Sequence, residues 1–252
     1  MAQEFPESTT VRAALGVAGR TQNPFGAAGW RWDPLPGGLG LRIADFQDET
    51  ISATERPRLR LAGTQHRTTP QEHGEPAPET AVLAAGAALH AAVLAFAAFG
   101  WHAAVREPRA RGHLAALAFS PRAAEPSDID RAAALVRCRA DRRPYLGWAL
   151  RPDQADALTA AAEAMAVTAV VVPARAALVP ALGGGRSEGP GSLLVLSTPR
   201  ATVADRLRAG AATSAVLLAA TTLGLSACAL PQVRAAVGPV APEVVVRAGV
   251  AA

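Results

Sequence analysis

Two runs, 81-AVLAAGAALHAAVLAFAAFGW-101 and 207-LRAGAATSAVLLAATTLGL-225, constrain the fold more than any other feature of the chain. Each is apolar on every side, so as a helix it must be surrounded by protein rather than laid on a surface. Each is built chiefly from alanine, which costs little side-chain entropy in a helix and lets backbones pack closely. The expected result is a pair of long central helices, 79–99 and 201–223, each stopped by a glycine suited to a C-cap, Gly100 and Gly224. The first run is also long enough to cross a bilayer. It carries His90 in its middle and Arg106 and Glu107 just beyond it, and alanine drives insertion only weakly. A core helix is therefore expected, and no membrane partner.

Length and charge narrow the class further. A chain of 252 residues can bury one sizeable core. The net charge is +4, and all 25 basic residues are arginine. Without lysine there is no Schiff-base chemistry and no Walker A lysine. Scattered arginines at so small a net charge argue for a solvated surface and against a nucleic-acid partner. Cys138 and Cys228 stand far apart and outside any metal spacing. No apolar leader opens the sequence, so a reducing, cytoplasmic compartment is expected.

Between the long helices the pattern alternates short strands and short helices. A helix is expected over 9–18, with Ser8 or Thr9 as its cap. A hairpin follows, with arms 30–33 and 39–45 around 34-PLPGG-38. Residues 47–78 are polar and proline-rich and read as a long loop. Strands at 101–107 and 113–120 flank a turn at 108–112. A helix over 128–137, capped by Ser127, leads to the arginine-rich loop 138-CRADRRPYLGW-148. A helix over 152–164, strands over 167–173 and 192–198, and a last strand over 243–249 complete the pattern. The class is α+β, in a single domain over 1–252 divisible into halves 1–125 and 126–252. The two long helices make a faint internal repeat, compatible with paired halves of a pseudo-dimer.

Five segments, in order, resemble the Acg-type branch of the nitroreductase superfamily, the FMN-binding oxidoreductases of actinobacteria. The segment 207-LRAGAATSAVLLAATTLGLSACALPQV-233 is similar to that branch's LRAG-QALxxVLLxATxxGL stretch. The tail 244-VVVRAG-249 is similar to its closing VVLRVG strand, and 84-AAGAALHAAVLAFAAFGWHAAV-105 to its first long helix. The loop 138-CRADRRPYLGWALRP-152 resembles RRTxRRPFxxxPVxP, and 23-NPFGAAGWRW-32 resembles the HNTQPWRW motif. The resemblance implies a nitroreductase-like fold, with an antiparallel-dominated mixed central sheet, long helices, and FMN between two halves. It implies electron transfer between flavin, NAD(P)H and a small organic substrate, and a homodimer or an intrachain pseudo-dimer. A biosynthetic tailoring step fits the same resemblance. So does a degenerate protein that sequesters flavin or serves as a partner subunit.

The implied cofactor residues are Arg139, Arg142 and Arg143, whose guanidinium groups match phosphate oxygens, together with Arg208 and Arg247. Arg247 lies in an apolar strand and needs a partner there; a phosphate, Glu243 or Asp205 would serve. The chain departs from the motif where the family's Asn and Gln fall on Gly26 and Ala28. A backbone free of side chains at 26–29 could approach a flat ring closely. Trp30 and Trp32 share one face of a strand and are read as packing on the helical layer. Trp101, Tyr145 and Trp148 are candidate walls for a substrate. No catalytic side chain is singled out, because flavin itself carries such chemistry. His66, Glu72 and His73 lack a metal signature, so no metal is expected.

Overall fold

The computed structural model describes residues 4–21, 23–25, 29–43, 78–108, 112–143, 145–146, 149–173, 191–230 and 243–251. Helix α1 (Ser8–Gly19) leads to the hairpin β1 (Trp30–Leu35) and β2 (Gly38–Ile43). The long helix α2 (Pro78–Ala98) precedes a second strand pair, β3 (Trp101–Arg106) and β4 (Ala115–Pro121). Two short helices, α3 (Pro126–Arg137) and α4 (Pro152–Glu163), open the second half. There β5 (Thr168–Pro173) and β6 (Ser192–Ser197), the long helix α5 (Val203–Thr222), and β7 (Ser226–Ala229) and β8 (Val244–Gly249) follow.

The α+β class holds, and the strands resolve into two separate four-stranded sheets. Their orders are β1-β2-β4-β3 and β5-β6-β8-β7. Every described pairing is antiparallel. The sheet expected as one mixed body is thus two bodies of the same topology, each a pair of hairpin-like arms joined by a long helix. Both central strands of the second sheet are buried along nearly their whole length, which their unbroken runs SLLVL and VVVRAG require.

Helices α2 and α5 cross at the centre, and two glycines set how closely. A Cβ on Gly86 would stand 2.0 Å from the carbonyl oxygen of Leu207, and a Cβ on Gly210 2.0 Å from that of Leu83. Only hydrogen fits at either point, so the backbones touch. The contact is reciprocal. One turn further on, His90 Nδ1 meets Ser214 Oγ at 3.0 Å, a pair with the same separation in sequence, 124 positions, as Gly86 and Gly210. Burial pushes the His90 imidazole down to about 4, and the Arg131 guanidinium acts in the same direction. The apolar run 79–98 is the one described helix long and apolar enough to span a membrane, and 72% of it is buried within the protein.

Local signals account for the helix starts. Thr202 Oγ1 accepts from Asp205 N (3.1 Å), and Asp205 Oδ2 accepts from Thr202 N (3.3 Å), a reciprocal cap on α5. Helix α3 begins two residues earlier than the sequence suggests. Glu125, not Ser127, is its N-cap, with Pro126 at the first position. Asp128 accepts from Glu125 N (3.0 Å) and pairs with Arg122 and Arg131, and these bonds hold its carboxyl below the ordinary range. Helix α1 is preceded by Glu7 as N-cap, without a side-chain capping bond, so neither Ser8 nor Thr9 serves.

Candidate functional site

The loop that follows α3 is tied down at several points. Cys138 N donates to Ala134 O (2.8 Å), closing the helix. Asp141 N donates to Ala227 O of β7 (2.9 Å), and Leu146 N to Val250 O (2.8 Å). Tyr145 is fully buried, and its hydroxyl donates to Asp141 O (2.6 Å). Burial pushes that phenol well above its usual range. Strand β7 therefore matters beyond the sheet, because it carries the loop. Sequence reasoning missed it: SACA is too short and too weakly apolar to announce a strand.

The arginines of this loop face a cleft of about 650 Å³. Arg137, Arg139, Arg142 and Arg143 line it, with Ala140, Asp141, Thr221, Leu225 and Ser226. Four guanidinium groups and one carboxylate make it an anion-attracting concavity. Of the residues singled out in the sequence, Arg139, Arg142 and Arg143 come together here. Arg137, Asp141, Thr221 and Ser226 were not foreseen. Arg137 adjoins the motif, and Ser226 follows the helix-ending Gly224, so their places could have been read from their neighbours.

The three motif arginines are not equivalent. Arg139 Nη1 donates to Val136 O (2.7 Å) and Cys138 O (2.8 Å), which satisfies carbonyls at the end of α3. Arg143 forms a fork on Asp141, Nε to Oδ1 at 3.0 Å and Nη2 to Oδ2 at 2.7 Å. The Arg143 guanidinium, aided by the Arg143 backbone N–H and Ser226, holds the Asp141 carboxyl far below the ordinary carboxylate range. Arg142 is exposed and has no carboxylate partner among the described residues.

Arg247 sits beneath this loop, 6% exposed. Neither Glu243 nor Asp205 is its partner. Its Nη2 donates to Arg143 O (2.5 Å), and its guanidinium carbon lies 3.8 Å from the Tyr145 ring centroid. It supports the arginine loop from below and does not line the cleft. Arg208 is elsewhere: it pairs with Asp205 on the first turns of α5, roughly 20 Å along the helix axis from the cleft. Gly26, Ala28 and Trp148 lie outside the described residues, as do His66, Glu72 and His73. Among the described residues no three metal-binding side chains cluster.

A second concavity adjoins the first. Thr21, Asn23, Trp30, Leu135 and Cys138 line it, with Ala84, Ala87, Ala88 and Ala91 of α2 and Ser214 and Leu217 of α5. On α5, Ser214 and Leu217 face this slot, while Thr221, on the same side of the helix, faces the arginine cleft. The slot is walled by alanines and holds about 20 Å³, room for roughly one water. The Thr21 hydroxyl is buried there without a hydrogen-bond partner among the described residues. Burial pushes the Cys138 thiol up, so it is no ready nucleophile. Trp32 packs into the helical core, as its spacing suggests, and Trp30 packs against the core as well while also lining the slot.

Comparison with known proteins adds a family direction. Two Mycobacterium tuberculosis proteins, provisionally named NAD(P)H nitroreductase MT3217 (strain CDC 1551 / Oshkosh) and NAD(P)H nitroreductase Rv3131 (strain ATCC 25618 / H37Rv), are each 32% identical over 151 residues. The match takes in 59% of this chain and 38% of each relative, so the chain spans well under half the length of the proteins it matches. The solved structure of the NfrA1 nitroreductase from B. subtilis aligns over 48% of this chain and 66% of its own, at 15% identity and a TM-score of 0.39. No family model matches the chain.

Proposed function

We propose that the chain is a nitroreductase-superfamily protein that binds FMN and uses it as an oxidoreductase. The observation that carries this reading is the arginine cleft. Three arginines from one short loop and a fourth from the helix before it converge on a concavity large enough for a phosphate ester. Guanidinium groups recognise phosphate oxygens in pairs. The donor set therefore fits the phosphate end of the cofactor. Arg142, Arg139 and Arg137 would hold it, with Ser226 as a neutral donor. The relatives' name points to nitro-group reduction with a nicotinamide donor.

Bound flavin would supply the electron transfer. The protein's share is binding, orientation and exclusion of water. Tyr145, stacked on Arg247, keeps the loop in place; the flavin ring would lie outside the alanine slot, which has room for only about one water. We propose further that the chain works as one domain whose halves are paired across the α2–α5 crossing, rather than as two independent units. With no room for a flavin ring in the alanine slot, a second reading is a protein that holds flavin by its phosphate end without turning it over.

The absorbance spectrum of the purified protein with added FMN separates these. Bound flavin bleached by NAD(P)H supports the reductase. Bound flavin that NAD(P)H leaves oxidised supports the second reading. Failure to take up FMN removes both.

A further inference from the structure

We infer that Asp141 sets the anion affinity of the arginine cleft, as an internal carboxylate that occupies Arg143 and repels a phosphate held by its neighbours. The inference rests on the anion-site reading of the cleft. Asp141 is the one acid among the described residues lining it. Its carboxylate already has a full set of donors: Arg143 N and Nε on Oδ1, Arg143 Nη2 (2.7 Å) and Ser226 Oγ (2.8 Å) on Oδ2. A phosphate would present the same kind of oxygens to the same guanidinium.

The two ends of the pair are held unequally. The Asp141 side chain is 16% exposed and its own backbone N–H is bonded to β7, while the Arg143 side chain is 68% exposed. Ion pairs with so open a partner add little net stability. Arg143 therefore offsets the Asp141 charge only in part, and Asp141 stays in place. A bound phosphate then meets a fixed negative charge at close range, and like charges in one site oppose each other. The cleft is tuned for weak, exchangeable binding of a phosphate monoester.

Calorimetric titration of the full chain with inorganic phosphate, and separately with FMN, at fixed ionic strength tests this. Asp141→Asn keeps an oxygen for the Arg143 backbone N–H and presents its amide NH2 to the Ser226 hydroxyl, which can accept. It should tighten phosphate about tenfold, as expected for one charge removed at short range. Arg143→Gln, which exposes the carboxylate, should weaken phosphate, and the double variant should return to the wild-type affinity. Unchanged or weaker binding in Asp141→Asn overturns the inference, as does a double variant that stays weak, which would make Arg143 the direct ligand. Absence of phosphate binding in every variant overturns it too. If Asp141→Asn tightens phosphate while FMN never binds, the flavin reading fails and the role of Asp141 stands. If FMN binds and both affinities ignore Asp141→Asn, the reverse holds.

Discussion

The two halves share one strand order and diverge at one end. In the first, Leu117 of β4 stands opposite Leu39, the second residue of β2; in the second, Arg247 of β8 stands opposite Leu193, the second residue of β6. After α2 the chain runs Gly100, Trp101, His102; after α5 it runs Gly224, Leu225, Ser226. The first half thus has a buried leucine where the second has a buried cation, and an exposed histidine where the second has the Ser226 hydroxyl beneath an arginine loop. The same topology carries apolar packing in one copy and the arginine cleft in the other. What the copies keep in common is the crossing of their long helices; what they do not share is the charged end.

That division can be broken at the crossing first. Gly86→Ala and Gly210→Ala each drive a methyl into a carbonyl at 2.0 Å, and neither helix can yield without the other. Each should cost about 3 kcal/mol or more in chemical denaturation, because the obstacle is backbone. If both variants are near neutral, the helices do not meet as described.

The next effect is on pH. His90 is depressed in the folded state to about 4, so the unfolded chain binds more protons between that value and its ordinary 6.5. Its contribution is intact above pH 6.5, falls as pH drops through that window, and is gone below 4, a loss of about 3 kcal/mol. His90→Asn, which can still accept from Ser214, should flatten the stability profile across that window. The hydrogen-bonded carboxylates Asp128, Asp141 and Asp205 act in the same direction at lower pH: their depressed values hold stability above pH 3.8 and lose it only below.

Smaller effects sharpen the contrast between capped and open helices. Thr202→Ala removes the reciprocal cap of α5 and should cost about 1 kcal/mol. At Gly16 on α1, an added Cβ meets nothing within 4 Å. Gly16→Ala should therefore stabilise the protein by about 0.5–1 kcal/mol, the opposite sign to Gly86→Ala. Thermal melts of the pair decide whether packing or helix propensity governs each glycine.

Much of this was legible in the sequence. The apolar runs 81–101 and 207–225 could only be buried helices, and the closing glycines marked their ends. The arginine motif fell in a loop, and three of its members meet in one cleft. What was not legible depends on distant pairing. Two sheets instead of one cannot be told from strands taken singly, since the choice lies in which edges meet. Nor does 138-CRADRRPY-145 reveal that Arg143 is held by Asp141, or that Arg139 caps α3. Those roles follow from the loop's attachment to Ala227 and Val250. Arg247 was recognised as a cation in need of a partner, yet its partners are a carbonyl and an aromatic ring rather than an acid.

The central claim is that the arginine cleft of the second half holds a phosphate of flavin mononucleotide. FMN and riboflavin differ only in that group, so their relative affinity for the purified chain tests it most directly. The account predicts that FMN binds about a hundredfold more tightly, the gain from a charged group met by several guanidinium donors, and that Arg139→Ala/Arg142→Ala abolishes the difference. Equal affinities for the two flavins, or a preference for FMN that survives the double substitution, would contradict it.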